Sequence, residues 1–377
     1  MSPGLQQVFT QHLEQYCEQH VLDGRRASVC QHILQCRTEV MGGFQLQCNR
    51  CEHSQPHYFS CRDRHCPLCQ QRASEKWAQA QQQSVLPTTY YHLVFTLPHA
   101  LNGWVQLHPE PIYAALFSAV WATLKTFGQD PKRLDGTLGM TAMLHTWGQT
   151  LIQHVHLHCL VPGGALTHDG QWKAARSNYL FPVRALSRHF RGSMVSRLRA
   201  LLDAGKLYHV TSPAEADKLL DGLMATDWVV FSRPCEASTR QVVNYLARYS
   251  HRTAISNHRI QAVDDESVCF RYKDYQDHDK AKVMVLAHAE FIRRFLLHVL
   301  PKGMMRIRHY GFLANCCRRK KLQQIREAIE VAVAQPTTEE QASRPSDQWL
   351  EEMPCPSCSL GRLRIIGEIA RRWPGAG

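Results

Sequence analysis

Gln153-His154-Val155-His156-Leu157-His158-Cys159-Leu160-Val161-Pro162 is the stretch on which the reading of this chain turns. In a strand, side chains alternate between faces, so His156 and His158 share one face while Val155, Leu157 and Cys159 point into a core. Neighbouring imidazoles on such a face stand about 6.6 Å apart along the strand and can close on one divalent metal. His154 extends the same face, but the outer two histidines would lie about 13 Å apart. Only one neighbouring pair can therefore share an ion, and spacing alone leaves open which. A third ligand is expected from a preceding antiparallel strand, where His145-Thr-Trp-Gly-Gln149 offers His145 first and Gln149 second.

Downstream, Tyr245-Leu-Ala-Arg-Tyr249 sits in a segment, Thr239 to Arg252, that reads as a helix. Tyrosines at i and i+4 present both phenols on one helix face. A free phenol titrates near 10, so a tyrosine nucleophile needs positive charge beside it. Arg248 and Arg252 on the same helix can supply it or hold phosphates. Metal and tyrosine together are equipment for cutting DNA by a covalent phosphotyrosine route, with the metal as Lewis acid on the scissile phosphate.

Around this centre the chain has 377 residues and fifteen cysteines, and its 44 Lys+Arg against 32 Asp+Glu leave a net charge of +12. That excess favours polyanionic partners. The sequence has no apolar run of membrane-spanning length and no secretion signal, so the expectation is a cytoplasmic protein, nucleoid-associated when bound to DNA, with reduced thiols. Eight cysteines fall in the first 69 residues. Cys48-x-x-Cys51 and Cys66-x-x-Cys69, fourteen residues apart, are two thiolate knuckles at zinc-ribbon spacing. They are expected to hold one structural Zn²⁺, leaving Cys30, Cys36, Cys61, His53, His57 and His65 surplus. Cys355-Pro-Ser-Cys358 is half a site, for which adjacent Cys316-Cys317 make awkward partners.

Helices are expected over 5–21, 109–127, 184–204 and 287–299, with another opening at Ser74. Strands are expected over 90–97, 138–146, 152–162 and 228–232, with a hairpin over 258–273 and a polar linker over 335–354. The domains would be a zinc module over 1–84, a catalytic domain over 85–300, and a basic C-terminal region over 301–377. In the last, Arg306, Arg308, Arg318, Arg319, Lys320 and Lys321, interleaved with Tyr310 and Phe312, are candidates for salt-sensitive DNA contact.

In combination these segments resemble the two-tyrosine HUH transposases of rolling-circle insertion sequences, the IS-ninety-one type. Cys36-Arg-Thr, Cys48/Cys51 and Arg64-His65-Cys66-Pro67 resemble that family's zinc domain, and Val94-Phe-Thr-Leu-Pro-His99 its first catalytic motif. His145 to Gln149, His156 to Gly164, Tyr245 to Asn257 and His309 to Asn315 resemble its metal, nucleophile and C-terminal blocks, in order. The resemblance implies an α+β fold with a mainly antiparallel sheet carrying the histidines and helices packed behind. It implies His156 and His158 as the metal pair, with His154 a flanking residue, and Mg²⁺ or Mn²⁺ as the ion. It further implies Tyr245 and Tyr249 as nucleophiles forming 5′-phosphotyrosine links on single-stranded or hairpin DNA ends, without a nucleotide cofactor. Cys235 and Cys316-Cys317 depart from the pattern without touching those roles. Two other readings stand beside it: a rolling-circle replication initiator with the same chemistry, and a non-catalytic zinc-dependent DNA-binding regulator.

Overall fold

In the computed structural model, residues 3–70, 74, 84–175, 179–235, 252–275, 277–330 and 353–372 are described. The strands, in chain order, begin with β1 (Gly43–Cys48), β2 (Ser54–Tyr58), β3 (Tyr90–Thr96) and β4 (Gly136–Thr137). They continue with β5 (Gly139–Trp147), β6 (Gln153–Pro162), β7 (Gly164–Thr167), β8 (Trp172–Ala174) and β9 (Val230–Cys235). The last are β10 (Ile260–Val263), β11 (Ser267–Asp274), β12 (Lys280–Ala287), β13 (Ile307–Gly311) and β14 (Leu363–Ile369). The fold is α+β with antiparallel sheets, as expected.

The central five-stranded sheet has the order β13-β5-β6-β3-β9. Its pairings are antiparallel, and the register places His145 opposite His156, Met143 opposite His158, and Thr96 opposite His156 on the other side. Paired residues share a face, so the period of two sorts the sheet cleanly. Leu93, Phe95, Leu144, Val155, Leu157, Cys159 and Val161 are buried in one core cluster with the helices Pro109–Gly128 and Val183–Asp203. The opposite face carries the histidines.

The helix Pro109–Gly128 starts at a proline, whose fixed φ and missing N–H suit a first turn. The helix Pro213–Ala225, absent from the sequence reading, has a complete capping box between Ser212 and Glu215. The Asp264-Asp265 hairpin forms as expected, between β10 and β11, and β12 extends it to a three-stranded sheet. The helices expected from Ser74 and over Thr239 to Arg252, and the linker over 335–354, fall wholly or mainly outside the described residues.

Packing does not follow the sequence divisions at 84/85 and 300/301. The N-terminal helices Leu5–Gln19 and Gly24–Gln35 share a core with Ile260, Val268, Phe270 and the helix His288–Leu296, with Phe9 edge-on to Phe295 at 5.5 Å. β13, beyond residue 300, is an edge of the central sheet, and β14 pairs with β1 near the other end of the chain. The reason is register: short strands find partners by complementary pattern, whatever their distance in sequence.

Gly311 ends β13 at φ +61, and a Cβ there would run into the Leu138 carbonyl oxygen and the Trp121 ring. Gly311→Ala is therefore expected to destabilise the fold by about 2–4 kcal/mol. Urea unfolding checks this, and an unshifted midpoint would refute it.

Candidate metal centre and zinc clusters

His145 on β5 and His156 and His158 on β6 bring one ring nitrogen each within 4.8 Å of one another. All three are buried. The alternation that puts Leu157 in the core is what aims its two neighbours at the opposite face. His156 Nδ1 donates to the His154 carbonyl at 2.8 Å, which leaves Nε2 as an acceptor. His158 Nδ1 lies 2.8 Å from His92 Nε2, and its own Nε2 lies 3.1 Å from His156 Nε2. Ring nitrogens that share one ion stand about 3.0–3.4 Å apart when metal–nitrogen bonds are near 2.1 Å.

The charge state also suits ligation. Burial is the main reason that His156 titrates at about 3, with His154 and the Arg252 guanidinium adding to it. His158 is likewise held well below its ordinary value by burial, then by His145 and His156. Neutral imidazoles with inward lone pairs, backed by hydrogen bonds on their far nitrogens, are what a divalent cation requires. These residues fit one.

Of the three histidines on β6, His154 is the one set aside: its Nδ1 meets His99 Nε2 at 3.0 Å. Gln149 is turned away, donating to the Tyr275 hydroxyl at 2.9 Å. Sequence reasoning missed His92 and Trp147. His92 shares the face of Val94 and Thr96 on β3, and Trp147 stacks on His145 at 4.7 Å. The β3–β6 register, which no local pattern in the sequence fixes, was needed to bring His92 to His158.

Tyr245, Tyr249 and Arg248 lie outside the described residues. The nearest described residues on either side in the chain are Cys235, paired with Tyr90 on β3, and Arg252, whose charge lowers the titration of His156 and His158.

The single zinc ribbon expected from Cys48, Cys51, Cys66 and Cys69 is corrected by the structure. Those cysteines divide between two clusters, Cys36/Cys61/Cys66/Cys69 and Cys48/Cys51/Cys355/Cys358. The hairpin of β1 and β2 carries its own knuckle away from the other, toward β14. Cys36 and Cys61, surplus in the sequence reading, are ligand candidates, and Cys316-Cys317 do not complete the C-terminal pair. In the first cluster Cys69 Sγ lies 3.5 Å from both Cys36 Sγ and Cys61 Sγ.

That cluster is tied to the segment that follows the helix His288–Leu296. His65 Nδ1 bonds Asp63 at 2.7 Å, while its Nε2 accepts from the Leu300 backbone N–H at 3.1 Å. Burial opposes ionisation of Asp63, but hydrogen bonds from His65 and His32 outweigh it and hold the carboxyl well below the usual carboxylate range. Trp147 packs in the same apolar cluster as Cys36, Cys66 and Cys69.

The basic candidates separate by environment. Arg306, expected at the DNA surface, is instead buried and donates to the Arg252 carbonyl at 2.9 Å. Arg308 places its guanidinium 4.2 Å from the Phe117 ring centroid. Arg318, Arg319, Lys320 and Lys321 form the first turn of the helix Arg318–Glu330, with Arg319 and Lys320 exposed.

His298 bears on stability as a function of pH. Burial holds it at about 4, neutral, with Nε2 donating to the Leu151 carbonyl and Nδ1 accepting from Thr146. Its folded value lies below the unfolded one near 6.5, so its contribution is complete above pH 6.5 and is lost as pH falls toward 4. The loss is on the order of 3 kcal/mol by pH 4. Unfolding midpoints from pH 8 to 4.5 should fall in that window, and less steeply in His298→Gln, where zinc release is the same. Equal slopes would refute the assignment.

Two family models match the chain. One, described as "Transposase zinc-binding domain", matches residues 8–97, and the other, described as "Putative transposase", matches residues 139–321. The protein named "Putative transposase y4qJ" of Sinorhizobium fredii is 41% identical over 97% of this chain and 95% of its own length. The chain belongs to the IS91-type transposase family. The transposase for insertion sequence element IS801 of Pseudomonas savastanoi is 29% identical over 81% of this chain and 74% of its own. The second matched segment begins at Gly139, the first residue of β5, so it takes in all three converging histidines. The zinc-binding domain of this transposase carries structural zinc, and its substrate is DNA, which it cuts and joins. No described helix is long and apolar enough to cross a membrane.

Proposed function

We propose that this transposase is a metal-dependent HUH endonuclease and strand transferase, which nicks and rejoins single-stranded or hairpin element ends in rolling-circle type transposition. The observation that carries the reading is the convergence of His145, His156 and His158 on two paired strands of the central sheet. Mg²⁺ or Mn²⁺ held by those imidazoles would polarise the scissile phosphate as a Lewis acid.

Tyr245 or Tyr249 is the nucleophile. Its phenolic oxygen loses its proton and attacks the phosphorus, forming a 5′-phosphotyrosine bond, while the bond to the 3′ oxygen breaks and leaves a 3′-OH. Attack by a 3′-OH on the phosphotyrosine reverses the exchange and frees the phenol. One phosphodiester is traded for another, so no nucleotide cofactor is consumed. Two tyrosines let one hold a strand while the other cuts. Arg252, exposed beside the histidines, is the described cation best located to hold a phosphate.

The first turn of the helix Arg318–Glu330 supports DNA contact. Four cations at a helix N-terminus repel one another and the positive end of the dipole, and a phosphate backbone relieves both. Arg319→Ala with Lys320→Ala is expected to weaken single-stranded DNA binding and to flatten its log–log salt slope by roughly 1.4. Titrations at several salt concentrations check this.

The deciding experiment incubates the protein with labelled single-stranded element ends and Mg²⁺ or Mn²⁺, then resolves the products on a denaturing gel. A protease-sensitive covalent adduct, lost in the Tyr245→Phe, Tyr249→Phe double variant, is expected. Binding without an adduct, across metals and ends, would overturn the proposal.

A further inference from the structure

We propose that Cys48, Cys51, Cys355 and Cys358 form a second zinc site, a clasp that fastens the C-terminal strand β14 to the N-terminal ribbon. Cys355 and Cys358 lie outside both segments matched by the family models, which end at residues 97 and 321. The site joins residues up to 310 positions apart.

Four observations carry it. The first is distance: Cys48 Sγ lies 3.7 Å from Cys358 Sγ, and Cys51 Sγ lies 3.6 Å from Cys355 Sγ. Four sulfurs around one tetrahedral Zn²⁺ at 2.3 Å stand about 3.8 Å apart, whereas a disulfide would bring a pair to about 2.05 Å. The second is the backbone: the Arg50 N–H donates to Cys48 Sγ and the Gly361 N–H to Cys358 Sγ, each at 3.3 Å. One N–H from each knuckle thus faces sulfur, as suits a thiolate.

The third is steric. A Cβ on Gly361 would collide with Cys48 Sγ, so the C-terminal knuckle closes against the N-terminal one only because that position has no side chain. The fourth is core size. β1, β2 and β14 form a three-stranded sheet whose apolar cluster is little more than Leu46, Leu363, Phe44 and Met353 around the cysteines. So few apolar side chains do not hold a ribbon together without a metal or a cross-link.

The two clusters also differ in shielding. In the inner cluster only Cys61 is half-buried, whereas in the outer one both Cys51 and Cys358 are, beside buried Cys48 and Cys355. The clasp therefore yields its zinc first to a chelator, while the inner cluster keeps its ion.

The test uses the full chain purified with its zinc. Denaturation in a colorimetric zinc indicator should release two ions per chain, and one from the Cys355→Ser, Cys358→Ser double variant. In Co²⁺-substituted protein, the tetrahedral thiolate absorption should be about halved by the same change. Chelation of the unmodified protein, followed by alkylation and peptide mapping, should expose Cys48, Cys51, Cys355 and Cys358 before the inner four. This arm needs no variant to fold. One zinc per unmodified chain, two retained by the variant, or first alkylation at the inner cluster would each overturn the clasp.

Discussion

His158→Ala is expected to slow covalent adduct formation at saturating Mn²⁺ by about a thousandfold, while binding of single-stranded DNA without the cation stays within about twofold. His158 is the hinge of the centre: one ring nitrogen faces His156 and the other is backed by His92. Its loss leaves two imidazoles, too few to fix an ion against water. His92→Phe keeps the ring bulk and removes the backing hydrogen bond to His158. It is expected to raise the Mn²⁺ concentration for half-maximal rate by roughly 10–100-fold, with the rate recovered at high Mn²⁺. Adduct formation in His158→Ala at the unmodified rate would remove the metal centre from the mechanism.

The second large effect concerns the inner zinc. Cys66→Ser is expected to release one zinc per chain and to lower the apparent Tm by roughly 10 °C or more, since structural zinc contributes on the order of 10 kcal/mol. Cys66 is buried in a cluster that also contains Val29, Ile33, Trp147 and Phe295, so its effects travel. The same knuckle sets His65 under the Leu300 N–H, and Trp147 connects the cluster to the ring of His145. Adduct formation should therefore fall as well, even though the inner cysteines and His145, His156 and His158 form separate groups. Calorimetry and zinc content check the claim. A variant with full zinc content and an unshifted Tm would refute it.

Much of the central sheet was legible in the chain itself. Alternation around Leu157 separated core residues from the metal face, and β-rich runs ending at Pro98 and at the glycines after Pro162 marked β3 and β6. His145 was reachable too, because a short connection between antiparallel strands fixes their register nearly alone. What failed was the grouping of cysteines. Two CxxC pairs fourteen residues apart look like one ribbon, but knuckle spacing specifies only a half-site. Which halves meet depends on strand pairing between residues 43–48 and 363–369, and nothing local encodes that.

The sequence by itself determined the residue types, the periodicities and hence the chemistry: imidazoles on one strand face, thiolates in knuckles, a basic stretch from Arg318 to Lys321. Tertiary structure alone decided partnership. It put His92 behind His158, turned Arg306 inward to the Arg252 carbonyl, and brought Cys355 and Cys358 back to Cys48 and Cys51. The physical reason is that local pattern fixes which way a side chain points, whereas contacts across hundreds of residues are fixed only when whole faces and edges find complementary surfaces.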